Sequence, residues 1–198
     1  MQVKKLKIPG ICLISEDVNH DSINGYRQNT YSWTAFRLAG IPNTFIYESE
    51  VRLKEKNTLK GMYFQEERNK ETILIRCLTG KVLIKVIDVR PESATYRKVV
   101  SVELSAEKCQ YLLIPYGFAH GFLSLEENTC LQYKSDQMYF AKCTKVLNCF
   151  DPRLGLVWPE EEYILSAADR YALGISDLES EYFKILAEDK EIAVSDEE

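Results

Sequence analysis

The sequence predicts a mainly β chain, a double-stranded β-helix or jelly-roll barrel with short flanking helices, and three observations lead there. From Phe45 to Tyr133, β-branched and aromatic residues recur in short runs separated by turn residues. Within "VLIKVID" (Leu83, Lys85 and Ile87 alternating with Ile84, Val86 and Asp88) both alternating sets are largely apolar, the pattern of a strand covered on both faces. The run Ile114-Pro115-Tyr116-Gly117-Phe118-Ala119-His120-Gly121-Phe122 turns a corner and continues as a strand. Pro115 fixes φ and Gly117 supplies the backbone freedom a tight turn needs, so His120 follows directly on a turn, where it can face a ligand.

Taken in order, "TYSWTAFRLAGIP" predicts a short helix with Trp33, Phe36, Arg37 and Leu38 near one face, ended by Gly40 and Pro42. "TILIRCLTGKVLIKVIDVR" is two β-rich runs joined by Thr79-Gly80-Lys81. "VVSVEL", "CQYLLIP", "HGFLSL" and "TCLQYK" continue the rhythm of strands and turns. Beyond Trp158 the period changes. Ser176-Asp177-Leu178-Glu179 is a capping box, and Leu178, Tyr182, Ile185 and Leu186 form one helical stripe. One domain over residues 1–187 follows, with an acidic tail over 188–198 that is expected to fray. No internal repeat interrupts it.

The 198 residues suffice for one core. A net charge of −5 with no basic stripe argues against a nucleic-acid partner. The basic start "MQVKKLKIPGICLIS" is broken by Pro9 and Gly10 and is too short for a signal peptide or a membrane span, so a cytoplasmic protein with no membrane partner is expected. Six cysteines (Cys12, Cys77, Cys109, Cys130, Cys143, Cys149) include no Cys-x-x-Cys pair and are read as free, mostly buried thiols. With only His20 and His120, a multi-histidine metal site cannot be assembled, and no metal is expected.

The order Pro115-x-Gly117-x-x-His120 resembles the second motif of the cupins. The longer stretch resembles the dTDP-4-dehydrorhamnose 3,5-epimerase family, whose sequences read "IPxGFAHGF" here and "YK" downstream, as Tyr133-Lys134 do. "LKGMYFQ" (Leu59 to Gln65) stands where the family has "LRGLHYQ", "RCLTGKV" matches its "R-C-V-x-G-x-V", and "DVRPESATY" its "D-I-R-x-x-S-P-T-Y". "FDPRLGLVWP" and "LSAAD" follow in the same order, so the resemblance covers roughly residues 20 to 170.

That resemblance implies a cupin fold, a homodimer that exchanges strands before Gly61, and an epimerase of a nucleotide-linked 4-keto-6-deoxy sugar that needs no cofactor. The ketone acidifies the neighbouring C–H, so one residue removes the proton, another returns one to the opposite face, and cations hold the enolate and the diphosphate. In the family a histidine paired with an aspartate is the base and a tyrosine is the acid. Carried over, the acid is Tyr133 and the aspartate is Asp169, while the base position holds Tyr63. A phenol, with pKa ~10, is a poorer base near neutrality than an imidazole at ~6.5, and a neighbouring carboxylate raises it further. His120 is then a replacement base, an electrophile toward the ketone oxygen, or a residue that only hydrogen-bonds inside the barrel mouth.

Substrate contacts implied by position are Lys60 for the arginine of "LRG", Gln65, Asn24 for an arginine near the start, and Tyr47 and Ser49 in the segment that reads "F-x-Q-x-N" in the family. Lys60 keeps a charge but not the bidentate fork of arginine. Ile73 stands where the family has a lysine. Tyr139 is a candidate to stack on the nucleobase, and Arg76 is either ligand-facing or internally paired. Two readings follow: an epimerase or isomerase with a changed ligand or reaction, or a nucleotide-sugar-binding or scaffold homologue without turnover.

Overall fold

Among the described residues, period-two alternation sorts eleven strands into two facing antiparallel sheets. The computed structural model describes residues 1–15, 29–66, 69–159, 162–177 and 179. The first sheet is built from β1 (Gln2–Lys5), β2 (Cys12–Ser15), β3 (Tyr47–Leu53), β5 (Ile73–Thr79), β8 (Gln110–Ile114) and β10 (Thr129–Ser135), in the order β1-β2-β8-β5-β10-β3. The second holds β4 (Leu59–Gln65), β6 (Lys81–Asp88), β7 (Val99–Ser105), β9 (Phe118–Ser124) and β11 (Thr144–Val146), in the order β11-β4-β9-β6-β7. Short helices flank them, among them α1 (Trp33–Leu38) and α2 (Ala167–Arg170). The mainly β jelly roll expected from the sequence is what forms.

Three apolar clusters explain why so many strands lack a polar face. Ile75, Val82, Ile84, Val86, Leu112, Phe122 and Leu131 fill the space between the sheets. Leu59, Ile87, Ala119 and Leu123 meet Leu147, Leu154 and Trp158 on the outside of the second sheet, and Ile14, Leu74 and Tyr111 meet Phe36 of α1 outside the first. β6 therefore contributes Val82, Ile84 and Val86 inward and Ile87 outward, as its doubly apolar pattern requires.

The two runs joined by Thr79-Gly80-Lys81 do not pair with each other. β5 pairs with β8 and β10, and β6 with β7 and β9, so Gly80 carries the chain from one sheet to the other. Helix α1 forms where expected, with Ser32 capping the Ala35 amide at 3.4 Å, but only Phe36 is buried. Trp33 is 46% and Leu38 85% exposed. The C-terminal stripe of Leu178, Tyr182, Ile185 and Leu186 and the acidic tail lie outside the described residues, as does Asn24. All six cysteines are free thiols, five of them buried. No helix among the described residues is long and apolar enough to cross a membrane.

One close approach fixes the barrel mouth. Gly61 on β4 sits at φ +105, and a Cβ there would lie 2.7 Å from both the Gly121 Cα and the His120 carbonyl oxygen of β9. Glycine at both positions lets the two strands that carry Tyr63 and His120 touch backbone to backbone.

Candidate active site

Strand pairing sets Tyr63 directly opposite His120, while β10 brings Tyr133 to them from the facing sheet. The His120 and Tyr133 rings are 5.8 Å apart between centroids, and Phe122 packs on the same phenol at 6.4 Å. An open cleft lies at this end, lined among others by Phe64, Gln65, Glu71, Ile73, Tyr116 and His120.

Asp169 anchors the floor. Its Oδ1 accepts from the Gly61 amide at 2.9 Å and from the Tyr63 hydroxyl at 2.5 Å, and its Oδ2 from the Ser166 hydroxyl at 2.5 Å, with Lys60 Nζ at 3.6 Å. Burial alone would raise this carboxyl, but the donors from Ser166, Tyr63 and Gly61 outweigh it and hold the pKa below the usual carboxylate value. Tyr63 moves the other way: burial, then the bond to Asp169, push its phenol far above 10. A Tyr63 that gives its proton to Asp169 is not a base at neutral pH.

His120 is 8% exposed, and burial lowers its pKa to about 4. A hydrogen bond with the Tyr63 backbone opposes the shift, and burial outweighs it. Tyr133 is the converse case. Its hydroxyl is buried without a hydrogen-bond partner among the described residues, and burial, then the charges of Tyr63 and Glu71, hold its proton on well above pH 10.

Glu71 also faces this space. Ser135, two residues beyond Tyr133 and on the same face of β10, donates its hydroxyl to Glu71 Oε2 at 2.8 Å. Burial raises the Glu71 pKa, the Ser135 bond opposes, and Asp136 adds to the rise. The sequence alone does not single out Glu71. The available signal is its place two residues before the inward-facing Ile73, in a segment that otherwise reads as a loop.

The expected binding residues divide. Gln65 lines the cleft, gives Nε2 to Thr144 at 2.9 Å and keeps a buried, unpartnered Oε1. Lys60 is held near the floor by Asp169. Tyr47 and Ser49 share the inward face of β3 with Val51, Ser49 lying opposite Tyr133, and Tyr47 stacks on the half-exposed Tyr139 at 6.5 Å and 19°. Arg76 departs from the expectation of a ligand contact: with Leu74 it faces the outer side of β5, against the Tyr111 ring at 5.4 Å and its hydroxyl at 3.4 Å. Arg90 forms the internal ion pair, with Asp88 at 2.8 Å.

A family model described as dTDP-4-dehydrorhamnose 3,5-epimerase matches residues 5–177. The chain is 35% identical over 174 residues to the dTDP-4-dehydrorhamnose 3,5-epimerase of Salmonella typhimurium, covering 87% of this chain and 94% of the relative, and 32% identical over 180 residues to that of Escherichia coli, covering 90% and 96%. Among solved structures it resembles the Bacillus anthracis enzyme with TDP and PPi bound, with a TM-score of 0.84, 28% identity and coverage of 87% and 98%. It also resembles the dTDP-6-deoxy-D-glucose-3,5-epimerase of Legionella pneumophila in complex with dTDP-4-keto-L-rhamnose, with a TM-score of 0.82, 27% identity and coverage of 88% and 93%.

Proposed function

Since the chain belongs to the dTDP-4-dehydrorhamnose 3,5-epimerase family, an isomerase class, we propose that it binds a dTDP-linked 4-keto-6-deoxy sugar and inverts a carbon beside the ketone, in deoxysugar biosynthesis. The observation that carries this reading is the approach of the buried Tyr133 phenol to the imidazole of His120, 5.8 Å apart between ring centroids, with His120 lining an open cleft. Tyr133 returns the proton to carbon, and the acceptor nitrogen of His120 takes a hydrogen bond from a sugar hydroxyl and orients the ring. Lys60 lies nearby as the cation for the enolate oxygen, and Asp169 holds Lys60, Tyr63 and the Gly61 backbone in register. Every step is proton transfer, so no cofactor is required.

The nucleotide lies toward the Tyr47–Tyr139 stack, with Gln65 and Ser49 as polar contacts. In one chain the cleft is too shallow to enclose a nucleotide sugar. A second copy completes it in this reading: β3 ends its sheet, and its outer edge is unpaired among the described residues. The protein is then a cytoplasmic homodimer, and a single monomeric species in sedimentation at micromolar concentration removes that part.

Thermal shift and isotope exchange test the whole. TDP at a hundredfold excess over its Kd is expected to stabilise the fold by about 2.7 kcal/mol. dTDP-4-keto-6-deoxyglucose in heavy water is expected to gain deuterium beside the ketone. Binding of that sugar with no exchange at either neighbouring carbon leaves a binding protein without turnover.

A further inference from the structure

The epimerase reading requires a group that takes a proton from carbon, and the floor of the cleft does not supply one. Asp169 accepts three hydrogen bonds and faces Lys60, which leaves its charge fully committed. Tyr63 directs its own proton into Asp169. Tyr133 carries a proton, as an acid should, and the buried imidazole of His120 is a weak base.

Glu71 is different in each respect. It lines the same cleft as His120 and Gln65. Among the described residues only Oε2 is engaged, by the Ser135 hydroxyl, whose own orientation is fixed because Ser135 Oγ accepts from the Gln137 amide at 3.1 Å. No lysine or arginine among the described residues pairs with it, so its charge is not cancelled, and Oε1 is left for a ligand. Resting on the epimerase function proposed above, we infer that Glu71 is the general base of this site, its Oε1 removing the proton from the carbon beside the ketone.

The step balances without a further reactant. The C–H bond breaks and a Glu71 O–H bond forms, and the electron pair of the C–H bond becomes the enolate double bond, with the negative charge on the ketone oxygen. Inversion then requires that the Tyr133 hydroxyl return a proton to the opposite side of that carbon, with the ketone re-formed. The Tyr133 phenolate regains a proton from solvent and Glu71 releases its own. A carboxylate raised by burial is nearer neutrality than an ordinary one, and proton transfer is most effective there.

The test uses the full chain with dTDP-4-keto-6-deoxyglucose in heavy water, read by proton NMR, alongside TDP binding by calorimetry. Glu71→Gln keeps an acceptor for Ser135 and is expected to slow deuterium entry by roughly 10²–10⁴-fold with TDP affinity within a factor of two of wild type. Glu71→Ala is expected to lose exchange and to recover part of it with added formate, which a misfolded variant would not do. Exchange by Glu71→Gln within threefold of wild type overturns the assignment while leaving the epimerase reading intact. A wild type that binds the sugar and exchanges nothing overturns both, so the two failures are distinguishable.

Discussion

The Tyr63 hydroxyl gives its proton to Asp169 Oδ1 at 2.5 Å, where the family places an imidazole against the same carboxylate. A buried carboxylate that loses a donor is left with an uncompensated lone pair, and that costs about 1–3 kcal/mol. Tyr63→Phe is therefore expected to lower unfolding free energy by that amount in urea titrations while leaving proton exchange on the substrate within a few-fold of wild type. Tyr63→His restores an imidazole beside Asp169 and is expected to raise the exchange rate and to make it insensitive to Glu71→Gln.

Tyr133 should show the opposite balance between stability and activity. Its hydroxyl is buried with no partner, which costs the folded state about 1–3 kcal/mol relative to a ring without it. Tyr133→Phe is expected to raise the melting temperature and to reduce deuterium incorporation by roughly 10²–10⁴-fold. A melting temperature lowered by the substitution would mean that the hydroxyl is satisfied in solution.

Acid should destabilise the protein in two stages. His120 titrates at about 4 when folded and at its ordinary value of 6.5 when unfolded, so the unfolded chain binds more protons between those values. Stability therefore falls as pH drops from 6.5 to 4, by about 3 kcal/mol from this residue. Asp88, buried but bound by Arg90, Ser93 and Thr95, and Asp151, bound by Arg153, titrate at about 2 instead of 3.8, so their contributions hold above pH 4 and are lost between 4 and 2. Glu71, raised by burial, acts against His120 over the first stage. The difference between wild type and His120→Asn isolates the imidazole: urea midpoints of the variant are expected to fall less between pH 7 and 4.5.

Much of this fold is legible in the residue pattern because strands announce themselves by period two and this barrel buries both faces. The doubly apolar β6 and the Pro115–Gly117 corner are where that logic leads directly to the observed structure. Sheet assignment is less accessible. Nothing local in Thr79-Gly80-Lys81 distinguishes a hairpin from a passage between sheets, since the partners of β5 and β6 lie far along the chain. Motif order points to His120, Tyr133 and Asp169, whereas a charge in an apolar strand leaves Arg76 either ligand-facing or internally held, and its contact with Tyr111 depends on which face of β5 it takes. Glu71 escapes notice for a different reason. A carboxylate in a polar stretch reads as solvated, and its half-buried place depends on Ser135, which is distant in sequence.

The glycine contact between β4 and β9 determines where this cleft can vary. Any side chain at Gly61 would collide with Gly121 and the His120 carbonyl, and one at Gly121 with Met62 Sδ at 2.6 Å and the Lys60 carbonyl oxygen at 2.8 Å. The floor is thus a rigid mould whose depth no ordinary substitution can alter. Selectivity among sugars has to be written on the walls, at Phe64, Ile73 and Tyr116, and those are the positions at which libraries for a new substrate should begin.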